Sequence, residues 1–415
     1  MKRTADPIDA PSISAAVRPP ERMLSIDALR GFDMFWIIGA GALVHALDQM
    51  QGNAAIRFFS TQLSHAEWRG FRFYDLIFPL FLFLVGISIE FSLRRALPRD
   101  GMRRTLIRIV RRTLLLYVLG VFYNGGLAKA WPAVQLGGVL QRIAACYGIT
   151  AMIYCLTSRP RSLTTIAIAC LLIYWALLAW IPFPDLKLDP PTVNKIARQI
   201  GSDDPAAIAG AIPNRIHGIY EEGRNLTNYV DFRLLPGQKP QHYYINEGLL
   251  STLPAIALCL FGIIAGQWLT DTQLTPSKRA ARLAIYGIAA AAIGVLWGFE
   301  FPIIKRIWTS SFVMLAAGCS AILTAGFFWI IDVKGWRGWC RPFIWIGANA
   351  LTLYLARNII KFSTVSERLA GGSVKAWFDM NVTPGFGSLV VALISLALVV
   401  GLARFLYTRK IFIRL

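Results

Sequence analysis

The chain contains no CxxC pair, and no cysteine falls in its longest polar stretch, residues 182–246. Its six cysteines (Cys146, Cys155, Cys170, Cys259, Cys319 and Cys340) sit almost entirely in apolar segments, so neither a disulfide framework nor a zinc site is expected. GxSxG, HExxH, a Walker loop and a GxGxxG after a strand are all missing. That removes the sequence support for hydrolase, zincin, P-loop and dinucleotide-binding readings, and no metal is called for. Residues 1–25 lack the apolar core of a cleavable signal peptide, and their polar, Pro- and Arg-containing composition predicts a disordered cytoplasmic tail. Acidic residues are scarce, 23 against 43 Lys and Arg, for a formal charge of +20.

What the chain has instead is hydrocarbon. Hydrophobic residues make up 55% of it and the mean hydropathy is +0.51. Apolar runs of about 20 residues recur, the length that crosses a bilayer core. The expected fold is therefore all-α and polytopic, a single membrane domain over residues 26–415. Spans are expected at roughly 31–50, 71–93, 105–124, 134–156, 162–181, 247–269, 281–299, 309–331, 342–362 and 386–407, about ten in all. Arginine crowds the loop after the second span, "RRALPRDGMRRTLIRIVRR", and Lys or Arg recurs at 159–161, 278–282, 334–341 and 409–414. The positive-inside rule then makes both termini cytoplasmic and accounts for the basic charge without nucleic acid. The stretch 182–246 faces the other side and divides the spans five and five. Pro79 and Pro254 are expected to kink their helices, and Gly262 with Gly266 reads as a helix-packing GxxxG.

Ionisable and amide groups inside spans are costly, so they mark candidate sites. Asp33 and Glu90 are expected near the cytoplasmic side. His45, Asp48, His65, Asp75, Glu247 and Arg357 are expected near the outer side, and Arg142 and Asn349 deeper. Bland alternatives stand beside these: an interfacial hydrogen-bonded His45, a solvated Asp48, Arg142 as a helix-pairing ion, and Glu247 as a cap on the sixth span. His65 and Asp75 form the sharpest pair. In "LSHAEWRGFRFYDLIFPL" the imidazole stands at the mouth of the second span and the carboxylate about one turn inside. Imidazole suits proton transfer near neutral pH, and the carboxylate can orient it or hold a substrate amine.

The segments "RMLSIDALRGFDMFW", "SHAEWRGFRFYDLIFPLFLFLVGISI", "GGVLQRIAACYG", "YYINEGLLSTLPAIALCLFGIIAGQWL", "RIWTSSFVMLAAGCSAIL" and "DVKGWRGWCRPFIWIGANALTLY" occur in this order. Together they resemble the transmembrane heparan-α-glucosaminide N-acetyltransferases and their bacterial DUF5009 or NagX-like relatives, over roughly residues 22–412, with the first segment closer to the bacterial branch. The resemblance implies acetyl transfer from cytosolic acetyl-CoA to a glucosamine-type acceptor across what would be a bacterial inner membrane. The family's H-A-x-W motif falls on His65, Ala66 and Trp68. Two departures stand out: a first-span asparagine of the lysosomal members falls near Gly41, and their D-P-E-G reads "INEG", keeping Glu247 and Gly248.

On this reading His65 is general base or acyl carrier and Asp75 orients it. Asn349 or Arg142 donates to the oxyanion. Trp68, Glu247 and His45 contact the acceptor, and cytoplasmic arginines, with Arg30, Arg103 and Arg104 as candidates, contact the CoA phosphates. Partners are membrane lipid and the acceptor, with a homodimer allowed. Two other classes remain open at the sequence level: an amino-sugar permease, which ten spans with buried charge also suit, and an O-acyltransferase of envelope polysaccharide.

Overall fold

The computed structural model describes residues 23–50 and 54–412. Most of the expected tail, residues 1–22, lies outside the described residues, and Leu24 and Ser25 already belong to the first helix. The chain folds as helices throughout. First come α1 (Leu24–Gln49), the short α2 (Ala54–Leu63), the long α3 (Phe73–Tyr123), α4 (Val139–Leu156) and α5 (Pro160–Trp180). The polar stretch is folded too. Strands β1 (Phe183–Pro184) and β2 (Arg215–Ile216) pair antiparallel, and three short helices follow the sequence: α6 (Pro190–Ile200), α7 (Pro205–Gly210) and α8 (Leu226–Leu234). The second half comprises α9 (Thr252–Leu269), α10 (Pro276–Trp297), α11 (Ser310–Phe327), α12 (Arg341–Ala348), α13 (Ala350–Ile360), α14 (Phe362–Ala370), α15 (Ser373–Asn381) and α16 (Phe386–Thr408).

Among the described residues seven helices are long and apolar enough to cross a membrane, or eight if the pair α12–α13, bent by 80°, counts as one span. The protein is thus an all-α, polytopic integral membrane protein. The difference from the expected ten has a local cause. The stretches 71–93 and 105–124 form the two helical arms of α3, which meet at Gly101, where the backbone leaves helical geometry at φ 74° and ψ 168°. The stretch 31–50 falls in α1, whose Asp27, Arg30, Asp33 and Asp48 dilute its apolar character. Of the two prolines, Pro254 departs from the expected place inside a span. Pro79 sits within helical backbone in α3, and the break is at Gly101. Pro254 is the third residue of α9, where its missing N–H has no carbonyl to reach.

Successive helices alternate direction, which gathers the arginine-rich connections on one face. There Arg94 donates to Thr270 Oγ1 (2.6 Å), Gln267 to the Ser158 carbonyl (2.8 Å), and the Ser25 hydroxyl to Asp332. The opposite face carries the strand pair, α6–α8 and the turn before α11. It is tied together by Trp68 Nε1 donating to the Tyr220 carbonyl (2.7 Å) and Asn358 to the Tyr123 carbonyl (3.0 Å).

The bundle core is built around α3, α4, α9 and α11. Outer helices turn bare hydrocarbon outward, as with Ile168 and Leu172 of α5, Ile285 and Ile288 of α10, and Leu393 of α16, the pattern lipid solvates. In lipid the association of helices depends on close packing, and α3 meets α9 through glycine. A Cβ at Gly86 would stand 2.0 Å from the Cys259 carbonyl oxygen, and one at Gly262 would stand 2.1 Å from that of Phe83. The GxxxG of α9 therefore faces α3.

Gly262→Leu is expected to separate α3 from α9, at about 3 kcal/mol or more, and to lower the thermal midpoint of the detergent-solubilised protein. Gly401→Leu, with nothing within 4 Å of its Cβ position, is the control. Equal midpoints for the two variants would contradict this packing.

Candidate active site

The segment between α2 and α3 has no regular structure, yet it is held at almost every residue. Arg72 Nη1 donates back to Ser64 Oγ (2.7 Å) and to the His65 carbonyl (2.8 Å), closing the loop on itself. Gly70, at φ 122°, donates its N–H to the Ile303 carbonyl (2.9 Å) in the turn that precedes α11. Asp75 is the third residue of α3 and fully buried. Its Oδ2 accepts from the N–H of Arg72 (3.0 Å), the N-cap residue, and from that of Ala66 (3.2 Å). A carboxylate at this position satisfies the orphan donors of a helix start and complements its dipole.

The other oxygen of Asp75 faces the imidazole. His65 Nδ1 lies 2.9 Å from Asp75 Oδ1, and the imidazole stacks on Tyr74 with ring centroids 4.6 Å apart. An Nδ1–H donated to Asp75 leaves Nε2 as the basic nitrogen. The His65 side chain is 51% exposed against 0% for Asp75. The dyad therefore has one dry member and one wet member.

A third residue, unforeseen from the sequence, completes the cluster. Lys305 Nζ is 3.3 Å from Asp75 Oδ1 and 2.8 Å from His65 Nδ1. Burial pushes its ammonium below the ordinary lysine value, and the Asp75 carboxylate pulls it back up. The only sequence signal was a lysine at the end of an apolar run in "FPIIKRIW", one residue before a family-like segment. The cluster opens into a cavity of about 390 Å³ whose lining includes His65, Tyr74, Glu247, Lys305, Arg306, Trp308, Tyr354 and Arg357.

The other expected site residues divide by position. Glu247 does line this cavity, five residues ahead of α9 rather than capping it. Trp68 is not in the lining; it is partly buried among Tyr174, Phe183 and Phe301, with its N–H committed to Tyr220. Its structural task is to dock the loop, which corrects the expected sugar-stacking role. Arg142 is buried and donates to the Gly248 carbonyl (3.1 Å) and the Ser251 hydroxyl, with its guanidinium 5.0 Å from the Trp308 ring centre. It clamps the turn after Glu247 and does not reach the cavity, contrary to the oxyanion expectation. Asn349 stands at the break between α12 and α13 and faces a different cavity. His45 and Gly41 line a third cavity, of about 920 Å³, between α1, α13–α14 and α16, where His45 contacts Gln49 at 2.9 Å.

Asn349's cavity, of about 300 Å³, adjoins the first along the same two helices. On α3, Tyr74, Ile77 and Phe78 line the His65 cavity, and Phe81, Leu84, Val85 and Ser88 line the other. On α13 and its break, Tyr354 and Arg357 belong to the first, and Asn349 to Leu351 to the second. The two cavities are thus stacked along the helix axes, about one turn apart. The second also holds Arg30, which donates to Ser88 Oγ (2.8 Å), and Arg112, whose guanidinium lies 4.6 Å over the Tyr147 ring. Both amide atoms of Asn349 are buried there without a partner. Arg103 and Arg104 are exposed on α3 just past Gly101.

Residues 22–194 match the family described as "Domain of unknown function (DUF5009)". Over 395 residues the chain is 26% identical to heparan-alpha-glucosaminide N-acetyltransferase of Mus musculus, covering 86% of this chain and 57% of that protein. Over 403 residues it is 27% identical to the Homo sapiens protein of the same name, covering 86% and 56%. The chain is thus similar in sequence to proteins named heparan-alpha-glucosaminide N-acetyltransferase. It spans little more than half the length of these curated relatives.

The turn carrying Glu247 is gripped from two sides. Arg142 holds the Gly248 carbonyl, and Asp231 Oδ1 accepts from the Leu249 N–H (2.9 Å). Burial pushes the Asp231 carboxyl up to about 6 from an ordinary 3.8. The folded state therefore favours the protonated acid. That stabilisation is complete below 3.8 and is lost as pH rises through about 6, amounting to at most about 3 kcal/mol. Thermal midpoints of Asp231→Asn and the parent protein should diverge across that window, with the Asn variant gaining as pH rises. A pH-independent difference would contradict the assignment.

Proposed function

We propose that the protein is a transmembrane acetyltransferase. It takes acetyl from acetyl-CoA at the arginine-rich, cytoplasmic face and delivers it to the amine of a glucosamine-type acceptor at the opposite, extracytoplasmic face. The observation that carries this reading is the His65–Asp75 dyad at the head of two cavities stacked along α3 and α13. The names of the relatives supply the reaction class.

The lower cavity fits a slender polar arm. Arg30 and Arg112 offer cationic donors on the basic side, and the buried, unpartnered Asn349 amide offers one donor and one acceptor to an amide of the pantetheine type. The acceptor sits in the upper cavity, with Glu247 oriented for its ammonium or hydroxyl groups. Its neutral amine attacks the thioester carbonyl as His65 Nε2 takes the amine proton. The C–N bond forms, the C–S bond breaks, and the thiolate of CoA leaves and is reprotonated. Asp75 holds the Nδ1 proton throughout and fixes the tautomer. Because Asn349 and Arg142 stand away from the dyad, the oxyanion falls to groups around His65.

One observation favours a second reading. A span broken by 80° beside a polar cavity of about 920 Å³ is also the anatomy of a permease. Proteoliposomes separate the two: unmodified labelled glucosamine accumulating without acetyl-CoA supports transport, and acetyl-CoA-dependent label on the acceptor supports transfer. Alkali resistance of the product distinguishes amide from ester.

With acetyl-CoA and glucosamine, His65→Ala should reduce turnover at least about 100-fold, the share a general base contributes, while still binding acetyl-CoA. Full activity in that variant rejects the assignment. Asn349→Leu should raise the KM for acetyl-CoA about tenfold, the worth of one hydrogen bond to a buried amide, and leave the acceptor KM unchanged. An unchanged donor KM would place the arm elsewhere.

A further inference from the structure

The position of Lys305 relative to the imidazole defines its role. A donor bonded to Nδ1 in the ring plane stands much farther from Nε2 than from Nδ1. Lys305 Nζ is 2.8 Å from Nδ1 and 3.4 Å from Nε2. Distances so nearly equal put the nitrogen over the face of the ring. The in-plane position at Nδ1 is then free for Asp75 Oδ1, at 2.9 Å. Oδ1 receives His65 Nδ1 and, at 3.3 Å, Lys305 Nζ, and Oδ2 receives the Ala66 and Arg72 N–H groups. An ionised carboxylate has about four acceptor sites, and this one meets four donors.

Lys305 is fixed as firmly as its partners. The turn that bears it is tied to the His65 loop by Gly70 N–H to Ile303 O (2.9 Å). Thr309 Oγ1 accepts from the Ile304 N–H (3.0 Å), Arg306 pairs with Glu222, and Tyr174 OH donates to the Ile307 carbonyl. A lysine that served only to fill space would not need every neighbour pinned.

A lone carboxylate within 3 Å of an imidazole favours the imidazolium, which cannot accept a proton. We propose that Lys305 is a positioning residue that keeps His65 a neutral, Nδ1-protonated base, by opposing the field of Asp75 from above the ring. This rests on His65 acting as the base of acetyl transfer. The other charged or titratable groups lining the His65 cavity are Tyr74 on α3, Arg306 beside Lys305, Glu247 ahead of α9, and Tyr354 and Arg357 on α13. Arg72 is spent on the loop's own Ser64 and His65 carbonyl. None of them shares Asp75 Oδ1 with the imidazole, so Lys305 is the cation placed to balance that carboxylate.

The test is the pH dependence of kcat/KM in proteoliposomes for the parent protein, Lys305→Met, Lys305→Gln and Lys305→Arg. Removing the charge should move the acidic limb upward by about one pH unit, the effect of an unopposed neighbouring carboxylate. Activity is then lost at a higher pH than in the parent. Lys305→Arg restores the cation and should return the limb toward its parental position. In parallel, the His65 resonance of ring-labelled protein, assigned by its loss in His65→Gln, is titrated in detergent. It should show the same upward displacement in the Met and Gln variants. Unmoved midpoints in both neutral variants overturn the proposal, as does an equal displacement in the Arg variant. Should no protein transfer acetyl, the proposed function fails, and the His65 titration still decides the role of Lys305.

Discussion

Everything in the candidate site depends on one buried carboxylate. Asp75 has no solvent contact, and a charge in such a position is tolerated only when its lone pairs are filled. Its four donors come from four different demands: a helix that needs an N-terminal cap, a loop that must be closed, an imidazole that must be oriented, and a cation that must be held. One group thereby couples the start of α3, the loop 64–72 and the turn before α11. Removing it would leave a buried ammonium, an unfixed ring and an uncapped helix together. That is why the loop, although it lacks regular structure, behaves as part of the scaffold.

The same economy governs the two stacked cavities. Glycine at Gly86 and Gly262 brings α3 into backbone contact with α9, so that α3 is fixed from behind while its front lines both cavities. Across the gap the span is broken at Asn349. A break in hydrocarbon exposes backbone groups that lipid cannot satisfy, so it persists only where it lines a polar space. The cavity with Arg30 and Arg112 provides that space, and the unpartnered amide of Asn349 marks it as one that receives something polar.

Much of the fold was legible because membrane insertion is a one-dimensional problem. Hydropathy marks the apolar runs and loop charge sorts the connections, and the helices fall where both predict. The chain could not advertise that the connection between two of those runs stays helical almost up to Gly101 on both sides, since its arginine-rich composition reads as a loop. Depth was readable for the site residues as well, but azimuth around the bundle was not. His65 and Asp75 were legible as a pair because ten residues of chain and a helix start hold them together. Asn349, Arg142 and His45 were grouped with them as polar residues of the spans; Asn349 and His45 line other cavities, and Arg142 is committed to the Gly248 turn. Trp68 was misread because an indole at a mouth serves docking as readily as binding. Lys305 is 240 residues from His65, and in the sequence it is one more basic residue in a short loop.

The split exposure of the dyad has a mechanistic meaning of its own. A base that works once per turnover must return its proton, and it does so fastest where water reaches it. His65, half open, can exchange protons with the face toward which its cavity opens. On the proposed mechanism Asp75 must instead stay ionised and immobile through every cycle, which a dry, fully bonded pocket secures. Were the imidazole buried with its partner, its acquired proton would be stranded beside the Lys305 ammonium. Were the carboxylate exposed with the imidazole, water would compete for Nδ1 and the tautomer would be lost. The boundary between wet and dry therefore has to fall on the hydrogen bond between them, and the loop that carries His65 is built to hold it there.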